Sequence, residues 1–154
     1  MSRLVFNGEN HQLSLLDGDF TVVGSWKAYN NVDSRAKIKI LINGSYSIQD
    51  KKKPHLHPGD NEDGSYGSYG IIRFNYPGHP GIGVHSGQAH NRYKPGPEHA
   101  TMGCIRTTDE AMKKIKDYME TSPLTTITIK NNSGPSVDSP VAPRSYHPVR
   151  TWLA

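Results

Sequence analysis

The sequence lacks the features that mark several classes of protein. It has one cysteine in 154 residues, Cys104, so no disulfide can form within the chain and a disulfide-stapled scaffold is excluded. No apolar run approaches the roughly 18 residues that a membrane-spanning helix needs, and the N-terminus has no apolar core of the kind found in a cleaved signal peptide. If Met1 is the natural start, we expect a protein made in the cytoplasm that leaves, if at all, without a cleaved signal.

The net positive charge and the fraction of hydrophobic residues are also low. The net charge is only +4, and the one basic run, 51–53, has no interleaved aromatic residues, so we expect no nucleic-acid partner and no membrane partner. Hydrophobic residues make up 34% of the chain, below the usual share for globular domains. The 15 glycines and 11 prolines favour turns, and together these values predict a loop-rich, mainly β protein.

Turn and alternation patterns predict strands along most of the chain. Asp17-Gly18 and Asn43-Gly44 suit tight hairpin turns. The predicted strands are 3–6, 12–16, 20–23, 37–42, 45–48, 69–76, 81–85 and 125–130, and polar loops are predicted over 50–70 and 88–99. One helix is predicted after Thr107, which forms a capping box with Glu110. Its apolar face is predicted from residues at helical spacing: Ala111, Met112, Ile115, Tyr118 and Met119.

The chain shows no internal repeat and no second folded unit. Residues 1–130 are expected to form one mainly β domain with a single helix. Residues 131–154 are rich in proline, serine and asparagine, and this composition predicts an irregular C-terminal tail.

Cys104 lies in a segment that suits a nucleophile. A thiolate is the reactive form of cysteine, and a histidine such as His85, at the end of a predicted strand, can accept its proton. The helix predicted just after Cys104 would favour a thiolate through its dipole, and the amides of Gly103 and Cys104 could form an oxyanion hole. The simpler alternative is a small buried cysteine that only packs.

The spacing of these residues resembles the signature of the L,D-transpeptidase catalytic domain, the YkuD-like family. That signature is a histidine, a gap, Ser or Thr, usually His, then Gly-Cys, an apolar residue and Arg or Asn. Here His85 precedes a fifteen-residue gap and then residues 101–106, TMGCIR. Residues 42–48 are similar to the family's Gly-x-Tyr/Phe-x-Ile hairpin, and 83–87 to its histidine-bearing strand. Met102 stands where the family usually has histidine.

The resemblance implies a fold and a reaction. The fold is a mainly β sandwich or barrel with one helix after the catalytic cysteine. Cys104 would attack the carbonyl of the third residue of a peptidoglycan stem peptide, with His85 as base and the backbone carbonyl of Ser86 orienting the imidazole. The amides of Gly103 and Cys104 would hold the oxyanion. Terminal D-alanine would leave, and an amine or water would resolve the thioester, giving L,D-transpeptidase or L,D-carboxypeptidase activity without a cofactor or metal.

Other residues near the motif are candidates for contact with substrate. Arg106 suits a substrate carboxylate, or it braces the loop. Thr101 is a candidate for contact with the substrate. The simpler alternative is that its hydroxyl forms hydrogen bonds within the loop. Tyr93 and Tyr69 suit the walls of a cleft, although ring packing explains either equally well. His99 is a candidate replacement for the histidine that the signature lacks here, with a solvated loop position as the simpler alternative.

Two other functions remain open at this stage. A zinc hydrolase would draw on the eight histidines, but neither HExxH nor paired CxxC occurs; the candidate ligands are His55, His57, Asp60, His79, His85, His90 and His99. The other function is a non-catalytic peptidoglycan-binding module that keeps the fold.

The cellular role is predicted from the start of the sequence. Housekeeping L,D-transpeptidases usually carry a signal peptide or anchor, which the sequence does not show. We therefore expect an antibacterial effector, delivered by a type VI secretion system and acting in the periplasm of a rival cell. Its partners would be peptidoglycan stem peptides, a cognate immunity protein and a secretion-system component. The alternative is a housekeeping enzyme whose signal has been removed.

Overall fold

The computed structural model describes residues 1–133 and 137–138. In chain order the strands are β1 Ser2–Asn7, β2 Gln12–Asp17, β3 Thr21–Tyr29, β4 Val32–Asp33, β5 Gly44–Ser47, β6 Ile72–Arg73, β7 Gly83–His85, β8 Ile105–Thr107, β9 Leu124–Lys130 and β10 Val137–Asp138. The helix α1 spans Asp109–Met119, and a 3₁₀ turn spans Gly96–Glu98. The predicted mainly β fold with one helix is confirmed.

Eight of these strands form one curled sheet in the order β5-β9-β1-β2-β3-β8-β7-β6. Its two end strands approach each other, since Ile48 and Phe74 form a bridge just beyond β5 and β6. The amide of Gln49 donates to the carbonyl of Arg73 at 2.8 Å, and the amide of Asn75 to that of Ser47 at 2.9 Å. The sheet therefore curls almost into a barrel, which agrees with the predicted sandwich or barrel architecture.

The helix packs against the sheet with the face that its sequence pattern predicts. Ala111, Met112, Ile115 and Met119 are buried, and Tyr118 packs against the core. The helix start differs from the prediction by one residue. Thr108 is the N-cap, and its hydroxyl accepts from the amide of Ala111 at 3.0 Å. Thr107 instead ends β8 and donates its hydroxyl to the carbonyl of Lys27.

The predicted strand over 37–42 is wrong. Side chains satisfy its backbone groups: the amide of Leu41 donates to Asn30 Oδ1 at 2.7 Å, and the carbonyl of Leu41 accepts from Asn132 Nδ2 at 2.8 Å. Ile42 is 70% exposed, so the alternation does not mark a buried face. β5 pairs with β9 instead of with this segment. The strand predicted over 69–76 is reduced to β6.

Most of the predicted irregular tail, 131–154, lies outside the described residues. Within it, β10 pairs in parallel with β4. Val32 of β4 also forms a bridge with Thr101, so this ladder lies beside the loop that carries Cys104. No helix in the described ranges is long and apolar enough to cross a membrane.

Candidate active site

Two neighbouring parallel strands position the histidine and the cysteine. β7 pairs with β8 in the register Val84 to Ile105 and His85 to Arg106. Because side chains alternate along a strand, His85 and Arg106 share one face of the sheet. Cys104 immediately precedes β8, and its side chain accepts a hydrogen bond from the backbone of Gly83, so the same alternation places it on the face of His85 and Arg106. The parallel pairing therefore places the segments that carry the histidine and the cysteine side by side, although eighteen residues separate His85 from Cys104 in the sequence.

The imidazole of His85 is held in one orientation. Its Nδ1 lies 2.7 Å from the carbonyl oxygen of Ser86, the contact that the family resemblance implies. A carbonyl only accepts hydrogen bonds, so Nδ1 carries the hydrogen and Nε2 holds a lone pair. Nε2 is buried and has no hydrogen-bond partner in the described part of the chain. It is the nitrogen suited to accept a proton from the thiol.

Burial controls the protonation of both groups. It lowers the pKa of His85 to about 3, with the nearby Arg106 guanidinium adding to the effect and the bond to Ser86 opposing it. It raises the pKa of Cys104 to about 11, although a hydrogen bond from the Gly83 backbone and the charge of Arg106 oppose the rise. At pH 7 the pair is therefore a neutral thiol beside a neutral imidazole.

The expectation of a thiolate stabilised by the helix is wrong for this state. In sequence, β8 and Thr108 stand between Cys104 and the first residue of α1. Cys104 is 0% exposed, and desolvation disfavours its charged form.

The loop before the nucleophile is closed by its own threonine. Thr101 Oγ1 donates to the carbonyl of Cys104 at 2.7 Å and accepts from the amide of Gly103 at 3.1 Å. These bonds fit the structural alternative for Thr101: the residue is 0% exposed, and its hydroxyl holds the loop. The amide of Gly103 already donates to Thr101 Oγ1, so it is not open to an oxyanion here.

The backbone conformation at position 103 favours glycine. Gly103 has φ +136°, which side-chain-bearing residues rarely adopt. A Cβ there would also overlap the side chain of Ile38 and lie 2.9 Å from Ile82. Gly103 therefore has a conformational role in the loop.

Asn30 is a site residue that the sequence analysis missed. Its side-chain amide donates to the carbonyls of Gly103 at 2.9 Å and Cys104 at 3.1 Å. Its Oδ1 accepts from the amide of Leu41 and from Asn132 Nδ2. Asn30 is 2% exposed and clamps the nucleophile loop to the core. An asparagine pair after a strand suggests only a turn, so no local pattern indicated this contact.

The polar loop 50–70 lies against the site, as a long loop in a compact domain often does. The ring of Tyr66 meets that of His85 edge-on at 5.2 Å, and His57 stacks on Tyr66 at 4.3 Å. Tyr66 is buried, and it too was missed, because nothing in its neighbours distinguishes it from a surface tyrosine.

Arg106 and His99 brace this region from inside. Arg106 is 2% exposed and donates to the carbonyl of His99 at 3.4 Å and to that of Ser65 at 3.1 Å. The structure thus contains the bracing contact rather than a guanidinium open to a substrate carboxylate. The solvated position expected for His99 is wrong: it is 9% exposed, with Nδ1 3.1 Å from the carbonyl of Lys94.

The two tyrosines proposed for the cleft occupy different environments. Tyr93 is 47% exposed and contacts Arg92, whose guanidinium lies 5.1 Å from the ring centroid and donates to its hydroxyl. Tyr69 packs against the hydrophobic core. Ring packing, the alternative explanation, accounts for Tyr69.

The histidines proposed as metal ligands do not assemble around His55-Leu56-His57. Among the described residues, the group able to share an ion is Glu62, Asp63 and His90, all exposed. His57 instead stacks on Tyr66, and its backbone amide donates to Asp60.

The pKa directions predict a bell-shaped dependence of stability on pH. From 6.5 down to about 3, the unfolded His85 binds a proton that the folded one does not, so stability falls as pH falls, by up to about 1.4 kcal/mol per pH unit. From 9.0 up to about 11, the unfolded Cys104 loses a proton that the folded one keeps, so stability falls as pH rises. Urea unfolding across this range measures both slopes.

Matched variants isolate these slopes from those of other titrating groups. His85→Gln should reduce the acidic slope alone, and Cys104→Ala the alkaline slope alone. Unchanged slopes in both variants would contradict the assigned protonation states.

Comparison with known proteins agrees with this geometry. The family model for the L,D-transpeptidase catalytic domain, YkuD, matches residues 4–140. No curated protein sequence matches the chain significantly.

Solved structures with the same fold cover most of the chain. The helical cell shape determining protein Pgp2 from Campylobacter jejuni has 16% identity and a TM-score of 0.60, over 86% of this chain and 48% of its own. Bd1075 from Bdellovibrio bacteriovorus has 17% identity and a TM-score of 0.59, over 86% of this chain and 49% of its own. An L,D-transpeptidase from Stackebrandtia nassauensis has 13% identity and a TM-score of 0.53, over 85% of this chain and 56% of its own.

These identities show likeness of fold, and the chain spans about half the length of those proteins. The family match extends over most of the chain and contains both His85 and Cys104. The chain belongs to the YkuD family of L,D-transpeptidase catalytic domains.

Proposed function

We propose that this chain is a cysteine-dependent acyltransferase or peptidase that acts on peptidoglycan stem peptides. The observation that carries the proposal is the orientation of His85. The carbonyl of Ser86 fixes Nδ1–H, which leaves the buried Nε2 without a hydrogen-bond partner in the described ranges. His85 lies on the strand that pairs with β8, and β8 directly follows Cys104. Family membership then supports the choice of substrate.

The neutral pair fits general-base activation of the thiol. His85 Nε2 accepts the thiol proton as Cys104 Sγ attacks the carbonyl of the third stem-peptide residue. The imidazolium then donates that proton to the departing amine of D-alanine, leaving a thioester on Cys104. An amine or a water molecule, deprotonated by Nε2, attacks the thioester and regenerates the thiol. The amides of Gly103 and Cys104 are the oxyanion donors that the family resemblance implies, and Gly103 would first have to release its bond to Thr101 Oγ1.

Access to the site requires a rearrangement. Cys104 and His85 are both 0% exposed, so the groups that cover them must move before a substrate carbonyl can reach the sulfur. Opening also rehydrates the pair, which moves both pKa values toward their ordinary range.

Mass spectrometry of isolated muropeptides tests this proposal. Incubation with the protein should remove the mass of D-alanine from stem peptides or, with added D-amino acid, replace it, and a chelator should not prevent either change. A carbapenem should acylate Cys104, seen as an increase in intact mass. Unchanged muropeptides and no adduct would instead support a non-catalytic wall-binding module, the function that the complete burial of Cys104 favours.

Delivery into a rival cell as a type VI secretion effector is a separate proposal, and it rests on the sequence alone. The protein would act in the periplasm, and a cognate immunity protein would protect the producing cell. Expression directed to the periplasm should be toxic and cytoplasmic expression harmless, with toxicity abolished by Cys104→Ala. Equal harmlessness in both compartments would count against this role.

A further inference from the structure

We propose that Asp109 is a positioning residue for His85 and acts through Ser86. This inference rests on the proposed function. Asp109 is the first residue of α1, and its Oδ1 accepts the hydroxyl of Ser86 at 2.5 Å. Its Oδ2 accepts the hydroxyl of Ser68 at 2.6 Å, and Oδ1 also accepts the amide of Ser68 at 3.1 Å.

Ser86 links this carboxylate to the imidazole. Its carbonyl accepts the hydrogen of His85 Nδ1, while its hydroxyl is held by Asp109. Both bonds are made by one residue that is 2% exposed. Fixing the side chain of Ser86 therefore also fixes the direction of the carbonyl that orients His85.

The carbonyl needs such a clamp because glycine follows it. The Ser86 carbonyl belongs to the peptide unit that it shares with Gly87, whose φ is +115°. Glycine adopts a wider range of φ than any other residue. Gly87 itself therefore does not fix the orientation of the peptide unit that carries the Ser86 carbonyl, and the surroundings must hold it. Gly67 packs directly against Ser86: a Cβ there would overlap the Ser86 hydroxyl and lie 2.9 Å from Asp109 Oδ1.

Helix capping does not explain the geometry of Asp109. The N-cap role belongs to Thr108, whose hydroxyl accepts from the amide of Ala111. A carboxylate in the first turn complements the helix dipole wherever it points. This one instead joins loop 64–68 to Ser86 through charge-assisted bonds, which are roughly twice as strong as neutral ones.

Removal of the carboxylate should slow chemistry without weakening substrate binding. Asp109→Ala should lower kcat by about 10- to 100-fold, because small misplacements of a catalytic group carry costs of that order, while KM changes less than about twofold. Asp109→Asn keeps one acceptor oxygen and should recover part of the loss. Ser86→Ala should have an effect similar to that of Asp109→Ala, and the double variant should be no worse than either, because all three break the same link.

Thr108→Ala is the matched control. It removes the cap from the same helix start, so it lowers stability, but it leaves the bonds to Ser86 intact. Activity per folded molecule should therefore stay near wild type in this variant. If Asp109→Ala lost no more activity than Thr108→Ala, or if the effects of Asp109→Ala and Ser86→Ala multiplied, the proposal would be overturned.

Nitrogen NMR of His85 gives a readout that does not depend on turnover. In the wild type, the ring-nitrogen signals of His85 should be those of one fixed Nδ1–H tautomer. These signals are assigned to His85 because they disappear in His85→Gln. In Asp109→Ala, the two ring-nitrogen shifts should be averaged between tautomers. Unchanged shifts in Asp109→Ala would refute the positioning role. An inactive wild type would refute the proposed function instead and leave this readout to decide the link.

Discussion

Cys104→Ala is expected to reduce turnover of stem peptides by at least about 10⁴-fold, as loss of a nucleophile does in other acyl-transfer enzymes. No second cysteine exists to replace it, and the carbapenem adduct should disappear with it. His85→Gln should cause a loss of about 10³- to 10⁴-fold, because the thiol, whose pKa is raised to about 11, then has no base to accept its proton. Chromatographic assay of released D-alanine measures both effects.

Folding must be controlled in this experiment, because both residues are fully buried. A smaller side chain at 104 leaves a small cavity, which costs about 1 kcal/mol for a volume of this size. Rates should therefore be expressed per folded molecule, with the folded fraction taken from urea unfolding. Residual turnover in Cys104→Ala within tenfold of wild type would exclude a thioester mechanism.

Asn30→Ala is expected to be the most destabilising single change near the site, at about 2–6 kcal/mol. Cys104's carbonyl keeps its bond from Thr101. The carbonyl of Gly103 and the amide of Leu41 lose the Asn30 side chain that they bond to in the core. Each buried group left unsatisfied costs about 1–3 kcal/mol, which gives the expected total. The midpoint of urea unfolding should fall while the m-value stays constant.

The neighbouring asparagine provides the control for this change. Among the described residues the side chain of Asn31 makes one hydrogen bond, an exposed one to the carbonyl of Glu98 at 3.1 Å, so Asn31→Ala should cost less than about 1 kcal/mol. Equal unfolding midpoints for the two variants would show that Asn30 does not clamp the nucleophile loop.

The parts of the site predicted from sequence are those encoded locally. The strand that ends in His85 and the Gly-Cys segment are short patterns at a fixed spacing, and the hydrogen bond from His85 to Ser86 joins consecutive residues. The apolar face of α1 follows from helical periodicity in the same way. Such features depend on near neighbours, which a pattern can represent.

The parts that sequence analysis missed depend on distant residues. Asn30 reaches Gly103 across 73 positions, and Ser68 reaches Asp109 across 41. The Lys37–Ile42 alternation predicted a strand, but the side chains of Asn30 and Asn132 satisfied the backbone of Leu41 instead. No spacing rule encodes a contact that is formed only when separate segments fold together.

By itself the sequence determined which cysteine and which histidine are the candidate pair, since both lie in one recognisable motif. Only the tertiary structure decided their charge. The nearby helix in the sequence suggested a thiolate at Cys104. Burial instead raises the pKa of the Cys104 thiol to about 11 and lowers the pKa of the His85 imidazole to about 3. The physical reason is that solvation depends on all surrounding atoms, and these come from segments far apart in the chain.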